Sequence, residues 1–415
     1  MIEYPNKLDK IFDKLNKNGI KPIIVGGYVR DWFLKKTNKD IDIELYGVHS
    51  LQIVQEILQE FGKVNNVGKS FGVCKLNYYD LELDFSLPRK ENKTAKGHKG
   101  FDIIVDTSLD FATAASRRDF TINAMGFDVI EKKLLDPFDG KADLEQKILK
   151  AVNTNSFSED PLRVLRIMQF GARFELRVDC SLLKLAQNMI QNNVLNELPK
   201  ERIFMEFEKL FLKSKKISYG IVLLQKMGGF DYFQELSTLD KHQLAHILQA
   251  LDYIYQFQLK NKAEIIILSF ALLSLYFTYE QVLTFMDRFT NNKKIVDGVL
   301  HLLFTPFDLE KIDNYSIYKL STQTNIEFYS LFLRAKTLHK KEQQINRLVQ
   351  KAKSLGVLNK KLPPLVEGKD LIKLGLQPSK EFSKILDNTY DAQMKEIFST
   401  KEKALQWVQN TLLSK

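Results

Sequence analysis

The residues best suited to chemistry lie in Lys39-Asp40-Ile41-Asp42-Ile43-Glu44-Leu45. Along a strand, side chains alternate faces, so Asp40, Asp42 and Glu44 share one face while Ile41, Ile43 and Leu45 point into a core. Neighbouring carboxylates repel each other unless a cation lies between them. Ligation by oxygen alone suits Mg²⁺, which keeps waters and takes phosphates as further ligands. An amphipathic strand with a wet acidic face has the same pattern, so context must decide. A third carboxylate is expected on a neighbouring strand, and Leu81-Glu82-Leu83-Asp84-Phe85 offers Asp84 or Glu82 on one face, with Asp84 preferred.

Upstream, Ile23-Ile24-Val25-Gly26-Gly27-Tyr28-Val29-Arg30-Asp31 reads as a strand, two glycines and a helix start, and Asp40 follows Gly27 by thirteen residues. Glycines there let backbone N–H groups approach a phosphate, the helix N-terminus favours negative charge, and Arg30 can pair with a phosphate oxygen. Downstream, Ser116-Arg117-Arg118-Asp119-Phe120-Thr121-Ile122-Asn123 sets two arginines, an Asp and an Asn among apolar residues. Buried charges must be paired, so Asp119 is expected to lock one neighbouring arginine and leave the other for phosphate. In Glu159-Asp160-Pro161-Leu162-Arg163-Val164-Leu165-Arg166, Asp160 is a natural N-cap before a proline at the first helical position. Arg163 and Arg166 then share a face. A capped helix with a salt-bridged exterior looks the same; the functional reading uses Asp160 and Arg163 as a hydrogen-bonding edge and Arg166 as a phosphate contact.

These segments need a scaffold. Ile23–Val25, Ile41–Tyr46, Val73–Leu76 and Leu81–Phe85 read as strands and Leu51–Phe61 as a helix. Residues 89–100, basic and punctuated by glycine, read as a mobile loop. From Pro161 onward helical patterns dominate, broken at Met227–Gly229, Thr305–Phe307 and Leu362–Pro364. The expectation is an α+β chain: a small mixed-sheet head over 1–138, then an all-α neck (139–200), body (201–305) and tail (306–415).

Composition narrows the class. With 415 residues, 44% of them apolar, the chain is globular and long enough for several domains. The start, MIEYPNKLDK, has no apolar h-region, so no signal peptide is expected. The apolar run Ile265–Phe277 is too short to span a bilayer. Cys74 and Cys180 are the only cysteines, which excludes a disulfide framework or a cysteine zinc site and suits a reducing cytoplasm. The net charge of +10 favours a polyanionic partner. Nine Lys or Arg between Arg334 and Lys361, against Glu342 alone, form either a solvated helix face or a track for a phosphate backbone.

Taken together and in this order, VGGYVRD, KDIDIELYG, VGKSFGV, RRDFTINAM, DPFDGKADL and EDPLRVLR resemble the class II CCA-adding tRNA nucleotidyltransferases and bacterial poly(A) polymerases, within the DNA polymerase β-like superfamily. The likeness is close over residues 20 to 175 and looser over 365 to 410, where EGKDLIKLGLQPSKEFSKIL stands. It implies that Asp40 and Asp42 hold two Mg²⁺ ions, with Asp84 as a further catalytic carboxylate, and that Gly27, Arg30, Arg118 and Arg166 grip a triphosphate. Asp160 and Arg163 would pair with the base edge of CTP and then of ATP, and residues 89–101 would be a flexible loop coupled to that switch. The implied activity is addition of CCA to the 3′ end of tRNA, with the helical tail on the acceptor stem and TΨC arm. No membrane and no obligatory protein partner are expected.

Two departures stand out: Gln169 occupies a position where the family typically carries arginine, and Ser379 and Ser383 replace frequent glycines. Many relatives also carry a phosphohydrolase domain with a His-Asp metal pair, but Ala271-Leu272-Leu273-Ser274-Leu275 stands in the corresponding place. His242 and His246 are therefore not expected to be ligands. An A-adding or CC-adding specialist, or a poly(A) polymerase, remains the alternative. A non-catalytic RNA-binding relative would have eroded the acidic pair, and a small-molecule nucleotidyltransferase would not need EDPLR or a basic helical tail.

Overall fold

The computed structural model describes residues 2–66, 73–93 and 101–412, which form two compact units, 1–238 and 239–415. The first unit is built on a mixed seven-stranded sheet. Its strands are β1 (Lys21–Val25), β2 (Asp40–Tyr46), β3 (Val64–Asn66), β4 (Val73–Tyr78) and β5 (Leu81–Ser86). A separate ribbon is made by β6 (Arg89–Lys93) and β7 (Phe101–Val105), and the sheet is completed by β8 (Gly126–Asp128) and β9 (Lys133–Leu135). The order across the sheet is β3-β4-β5-β2-β1-β8-β9, and β2 and β5 run parallel while their other neighbours are antiparallel.

Alternation along β2 and β5 works as the sequence demands. Ile41, Ile43, Leu45, Leu83 and Phe85 are buried in a core covered by the helices Asp9–Lys17 and Leu51–Leu58, while Asp40 and Asp42 lie on the opposite, exposed face. The four expected strands and the Leu51 helix are all present, with strand ends shifted by one or two residues and the helix ending three earlier, at Leu58. The short β3, β8 and β9 had no pattern to announce them.

The basic segment from Arg89 differs from expectation. Residues 89–93 and 101–105 pair antiparallel, Arg89 with Val105 through to Lys93 with Phe101. Residues 89–93 are polar throughout, so no alternation marks them as a strand. Residues 94–100 lie outside the described residues, as do 67–72, which include most of VGKSFGV.

After the sheet, the helix Leu162–Phe174 packs against Lys200–Lys213 and Ile217–Lys226. Ten of its thirteen residues are buried, so it forms the centre of the helical part of this unit.

The second unit is all helical in its described residues. Lys262–Leu273 is its core helix, buried at Ile266, Leu268, Phe270, Ala271, Leu272 and Leu273. No helix among the described residues is long and apolar enough to cross a membrane. His246 is hydrogen-bonded through both ring nitrogens, 2.5 Å from the Tyr276 hydroxyl and 2.7 Å from the Lys336 carbonyl. In the basic stretch, the helix Glu342–Ser354 buries Ile345, Leu348 and Ala352 and leaves Arg347 and Lys353 exposed. Arg334 is committed internally, donating to Glu342, Ser330 and Asn346 at 2.7–3.0 Å.

Candidate active site

The site grows from the register of three strands. Asp42 sits opposite Asp84 across the parallel β2–β5 pair, and Asp40 opposite Glu82. Val25 pairs with Asp42 on the other side, so the Gly26–Gly27 turn leaves β1 beside that carboxylate. Gly26 has φ 69°, ψ −121°, a conformation open to glycine, and a Cβ there would lie 2.5 Å from Nη1 of Arg118. Gly27 carries no such constraint, because its nearest neighbour to an added Cβ is Arg30 Nη2 at 3.6 Å.

The three carboxylates differ in surroundings. Asp84 pairs with Lys75, its register partner on β4, at 2.7 Å. The Asp40 and Asp42 carboxylates make no ion pair with any described residue. Asp42 opens into the cleft, yet the walls around it exclude enough water that desolvation pushes its carboxyl above the usual range. Arg118 opposes the shift, and Asp84 and Asp40 add to it. Such unneutralised oxygen donors fit a divalent cation that prefers hard ligands. Among the described residues no three His, Cys, Asp or Glu side chains gather closely enough to hold a metal alone. An ion here would keep positions for water and phosphate.

Glu44, on the same strand face, has a different task. It is 2% exposed, accepts a hydrogen bond from the Tyr46 hydroxyl at 2.5 Å, and faces Arg117 at 3.3 Å and Arg118 at 3.7 Å. Both neighbouring arginines thus lean on Glu44, and Asp119 does not lock either of them. The partner of Asp119 is Arg166 from the helix Leu162–Phe174, at 2.6 Å. The turn after Arg118 carries Asp119 away from β2 and toward that helix, which adjacency in sequence does not reveal.

Asn123 connects the two halves. Its amide nitrogen donates to Asp119 Oδ1 at 2.9 Å, and its oxygen accepts from Arg30 Nη1 at 2.5 Å. Arg30 also donates twice to Asp31 Oδ1, at 2.6 and 2.8 Å, and is buried. Burial pushes its guanidinium pKa down, with Asp31 opposing. Arg30 therefore stands at the cleft wall as a braced residue, with Nε, Nη1 and Nη2 all engaged.

The cleft encloses about 530 Å³ and is lined by Gly27, Arg30, Asp42, Arg118, Asp160, Arg163 and Arg166 from the expected set. Asp40 and Asp84 stand on the same strand face outside that lining. Asp160 Oδ1 accepts from the Leu162 N–H at 3.0 Å, capping the helix, and its other oxygen faces Arg202 at 3.8 Å. Arg163 donates to the backbone carbonyls of Ser156 at 2.8 Å and Arg117 at 2.6 Å. Both side chains are thus held by backbone groups while still lining the cleft.

The lining also includes Arg89, Arg117, Asp119, Asn123, Phe170 and Arg202. Arg117, Asp119 and Asn123 were visible as a motif, and Phe170 as an apolar helix position. Arg202, in Lys200-Glu201-Arg202, looks like any charged helix start, and only its approach to Asp160 marks it. Gln169 is fully buried, and neither its amide oxygen nor its nitrogen finds a hydrogen-bond partner among the described residues.

Residues 23–150 match the sequence family of the poly A polymerase head domain. A multifunctional CCA protein of Neisseria meningitidis serogroup A is 36% identical over 206 residues, 50% of this chain and 47% of the relative. The chain thus spans about half the length of the curated relatives it matches. A CCA-adding enzyme solved in complex with CTP superposes with a TM-score of 0.71 at 20% identity, covering 99% of this chain and 96% of the other. The Thermotoga maritima CCA-adding enzyme complexed with tRNA gives 0.67 at 20% identity, covering 99% and 97%. Residues 23–150 thus match the poly A polymerase head domain, and the chain has the overall fold of the solved CCA-adding enzymes.

Proposed function

We propose that the protein adds CCA to the 3′ end of tRNA, without a nucleic-acid template, from CTP and ATP. The observation that carries this reading is that one cleft is lined both by Asp42 of the acidic strand and by the capped helix start bearing Asp160 and Arg163. Phosphate chemistry and base recognition then share one small volume. Similarity to proteins described as CCA-adding enzymes, one holding CTP and one tRNA, supports it.

In each cycle the primer 3′-oxygen attacks the α-phosphorus, a new O–P bond forms, the bond from that phosphorus to the bridging oxygen breaks, and pyrophosphate leaves. Asp40 and Asp42 are the residues that would hold two Mg²⁺ ions, with Asp84 beside them. The chemistry supplied by Mg²⁺ at such a site is a lowered pKa for the attacking hydroxyl and compensation of charge on the leaving group.

The protein's own contribution is positioning. Arg118 and Arg166 present positive charge toward the triphosphate from opposite sides of the Asn123 hub, Gly27 leaves its backbone open to it, and Arg30 braces the wall. Asp160 offers acceptors and Arg163 donors, which together suit the base edges of C and A. A wrong base would leave those polar groups unpaired at a cost. The division of labour we propose is a catalytic head to residue 138, a base-reading neck to 200, a helical body to 305 and a tail that grips the acceptor stem and TΨC arm. Such binding tolerates sequence and weakens with salt, because phosphate contacts position without specifying. The reading places the protein in the cytoplasm.

Pyrophosphate release from CTP with a tRNA transcript and Mg²⁺ tests the proposal. Release that requires all three and disappears in Asp42→Ala is expected; release without RNA, or an unaffected Asp42→Ala protein, contradicts it.

A further inference from the structure

The arginines around Asp42 have acids to lean on, but a second group of cations in the same unit does not. Three cationic groups gather on the ring of Phe174, at the end of the helix Leu162–Phe174. The guanidinium carbons of Arg30 and Arg173 each lie 4.6 Å from its centroid, and Nζ of Lys36 lies 4.8 Å away. Arg30 is neutralised by Asp31. The second oxygen of Asp31 accepts from the Asn38 amide at 3.0 Å, and the Asn38 oxygen accepts from the Asp40 N–H at 3.0 Å. That leaves Lys36 and Arg173 without an ion-pair partner among the described residues.

Lys213 joins them from the end of the helix Lys200–Lys213, which packs along Leu162–Phe174 with the two helix starts together at Arg202 and Asp160. Its charge feels repulsion from Arg173 and Lys209 and attraction from Asp40 and Asp31. Burial, and then repulsion from Arg173, push both the Lys36 and the Lys213 amines below their ordinary range. Lys36 and Lys213 are exposed, so solvent and ligand can reach them. A cluster of cations stacked on one ring and repelling one another is held ready for an anion.

Its position says which anion. Lys36, Arg173 and Lys213 do not line the cleft that holds Asp42, and the carboxylates Lys213 feels are Asp40 and Asp31. In phosphoryl transfer the attacking and leaving oxygens lie roughly in line, so the strand that brings the attacking hydroxyl must arrive from the side away from the triphosphate. We propose that Lys36, Arg173 and Lys213 form a phosphate site for the 3′-terminal strand of the RNA primer, on the Asp40 side of the acidic strand. This rests on the reading of the protein as an RNA nucleotidyltransferase.

The test uses the full chain and a tRNA transcript ending in CC. Lys36→Ala, Lys213→Ala and their combination with Arg173→Gln are compared for RNA dissociation constant without nucleotide, its salt dependence, and the KM values for RNA and ATP. The combined variant should bind RNA about tenfold more weakly, with the log–log salt slope reduced by about one for each lost phosphate contact. KM for RNA should rise and KM for ATP should hold. Lys36→Arg and Arg173→Lys, which keep the charge, should bind as the wild type does. Unchanged RNA affinity and salt slope, or a rise confined to the KM for ATP, would overturn the site while leaving the nucleotidyltransferase reading intact. A wild-type protein that neither binds nor extends RNA would overturn both.

Discussion

Asp119 and Arg166 meet at 2.6 Å, joining the Arg117–Asn123 motif to the helix Leu162–Phe174. Through Asn123 the contact continues to Arg30 and Asp31, so one hydrogen-bonded chain braces the cleft from the Gly-Gly turn to the helix Leu162–Phe174. The acidic strand and the capped helix start hold their relative places through it.

Stability should carry the mark of this pair. Burial acts to raise the Asp119 carboxyl, but Arg166 and the Asn123 hydrogen bond hold it below the ordinary value of 3.8. A carboxyl lowered in the folded state contributes stability that is complete above its unfolded value and is lost as pH falls through the folded one. Asp119→Asn should cost about 3 kcal/mol at neutral pH, because it strands a mostly buried arginine. Urea unfolding should show the same gap from wild type at pH 7 and 5 and a smaller one at pH 3. A gap that does not change with pH would mean the charge on Asp119 contributes nothing.

The two glycines of the turn should respond differently. Gly26→Ala forces a side chain into a left-handed backbone conformation and against Arg118, a strain of about 2 kcal/mol. Gly27→Ala meets nothing closer than 3.6 Å. Thermal unfolding and the KM for nucleotide should both worsen in Gly26→Ala and move much less in Gly27→Ala. Equal effects would mean the Gly26 geometry does not set the position of Arg118.

Lys75 competes with any cation for Asp84. Removing its charge with Lys75→Met should tighten Mn²⁺ binding several-fold, since one unit of like charge is taken from a partly exposed site. Asp42→Ala should slow turnover by at least about 10³-fold, or ~4 kcal/mol, with RNA affinity unchanged. Mn²⁺ titration followed by electron paramagnetic resonance gives the first result and single-turnover extension the second. Weaker Mn²⁺ binding in Lys75→Met would show that Lys75 organises the carboxylates and does not oppose the ion.

Base choice should be the first casualty at Arg163. Arg163→Ala removes donors from the cleft wall, and the preference for the correct nucleotide should fall by about 10- to 100-fold, equivalent to 1–3 kcal/mol of discrimination. Arg163→Lys should not restore it, because an ammonium lacks the planar fork. Competition between CTP, UTP, ATP and GTP on one primer measures this. Intact selectivity in both variants would move base reading elsewhere in the cleft, with Arg202 the next residue to test.

Legibility in the sequence followed local period and chemistry. Asp40 and Asp42 could be read because alternation along β2 is a local rule, and Asp84 because the same rule applies on β5. That Asp42 faces Asp84 depends on a parallel register made by chain elements some forty residues apart, and no local pattern states it. The partner of Asp119 is hidden for the same reason: adjacency favours Arg117 or Arg118, yet both lean on Glu44 and Arg166 reaches Asp119. The β6–β7 ribbon stays hidden because Arg89-Lys90-Glu91-Asn92-Lys93 has no apolar residue to alternate. No local pattern makes neighbours of Phe174 and Lys36, yet the fold brings the Lys36 Nζ 4.8 Å from the ring centroid.

The most direct test of the central claim is stepwise extension of a tRNA transcript ending at its discriminator base, with Mg²⁺ and CTP, ATP or both. Addition of two C residues with CTP alone, and a stop after CCA with both nucleotides, is the expected result. Extension by ATP only on a primer already ending in CC, or a long A tail on unrelated RNA, would contradict it, the first indicating an A-adding specialist and the second a poly(A) polymerase.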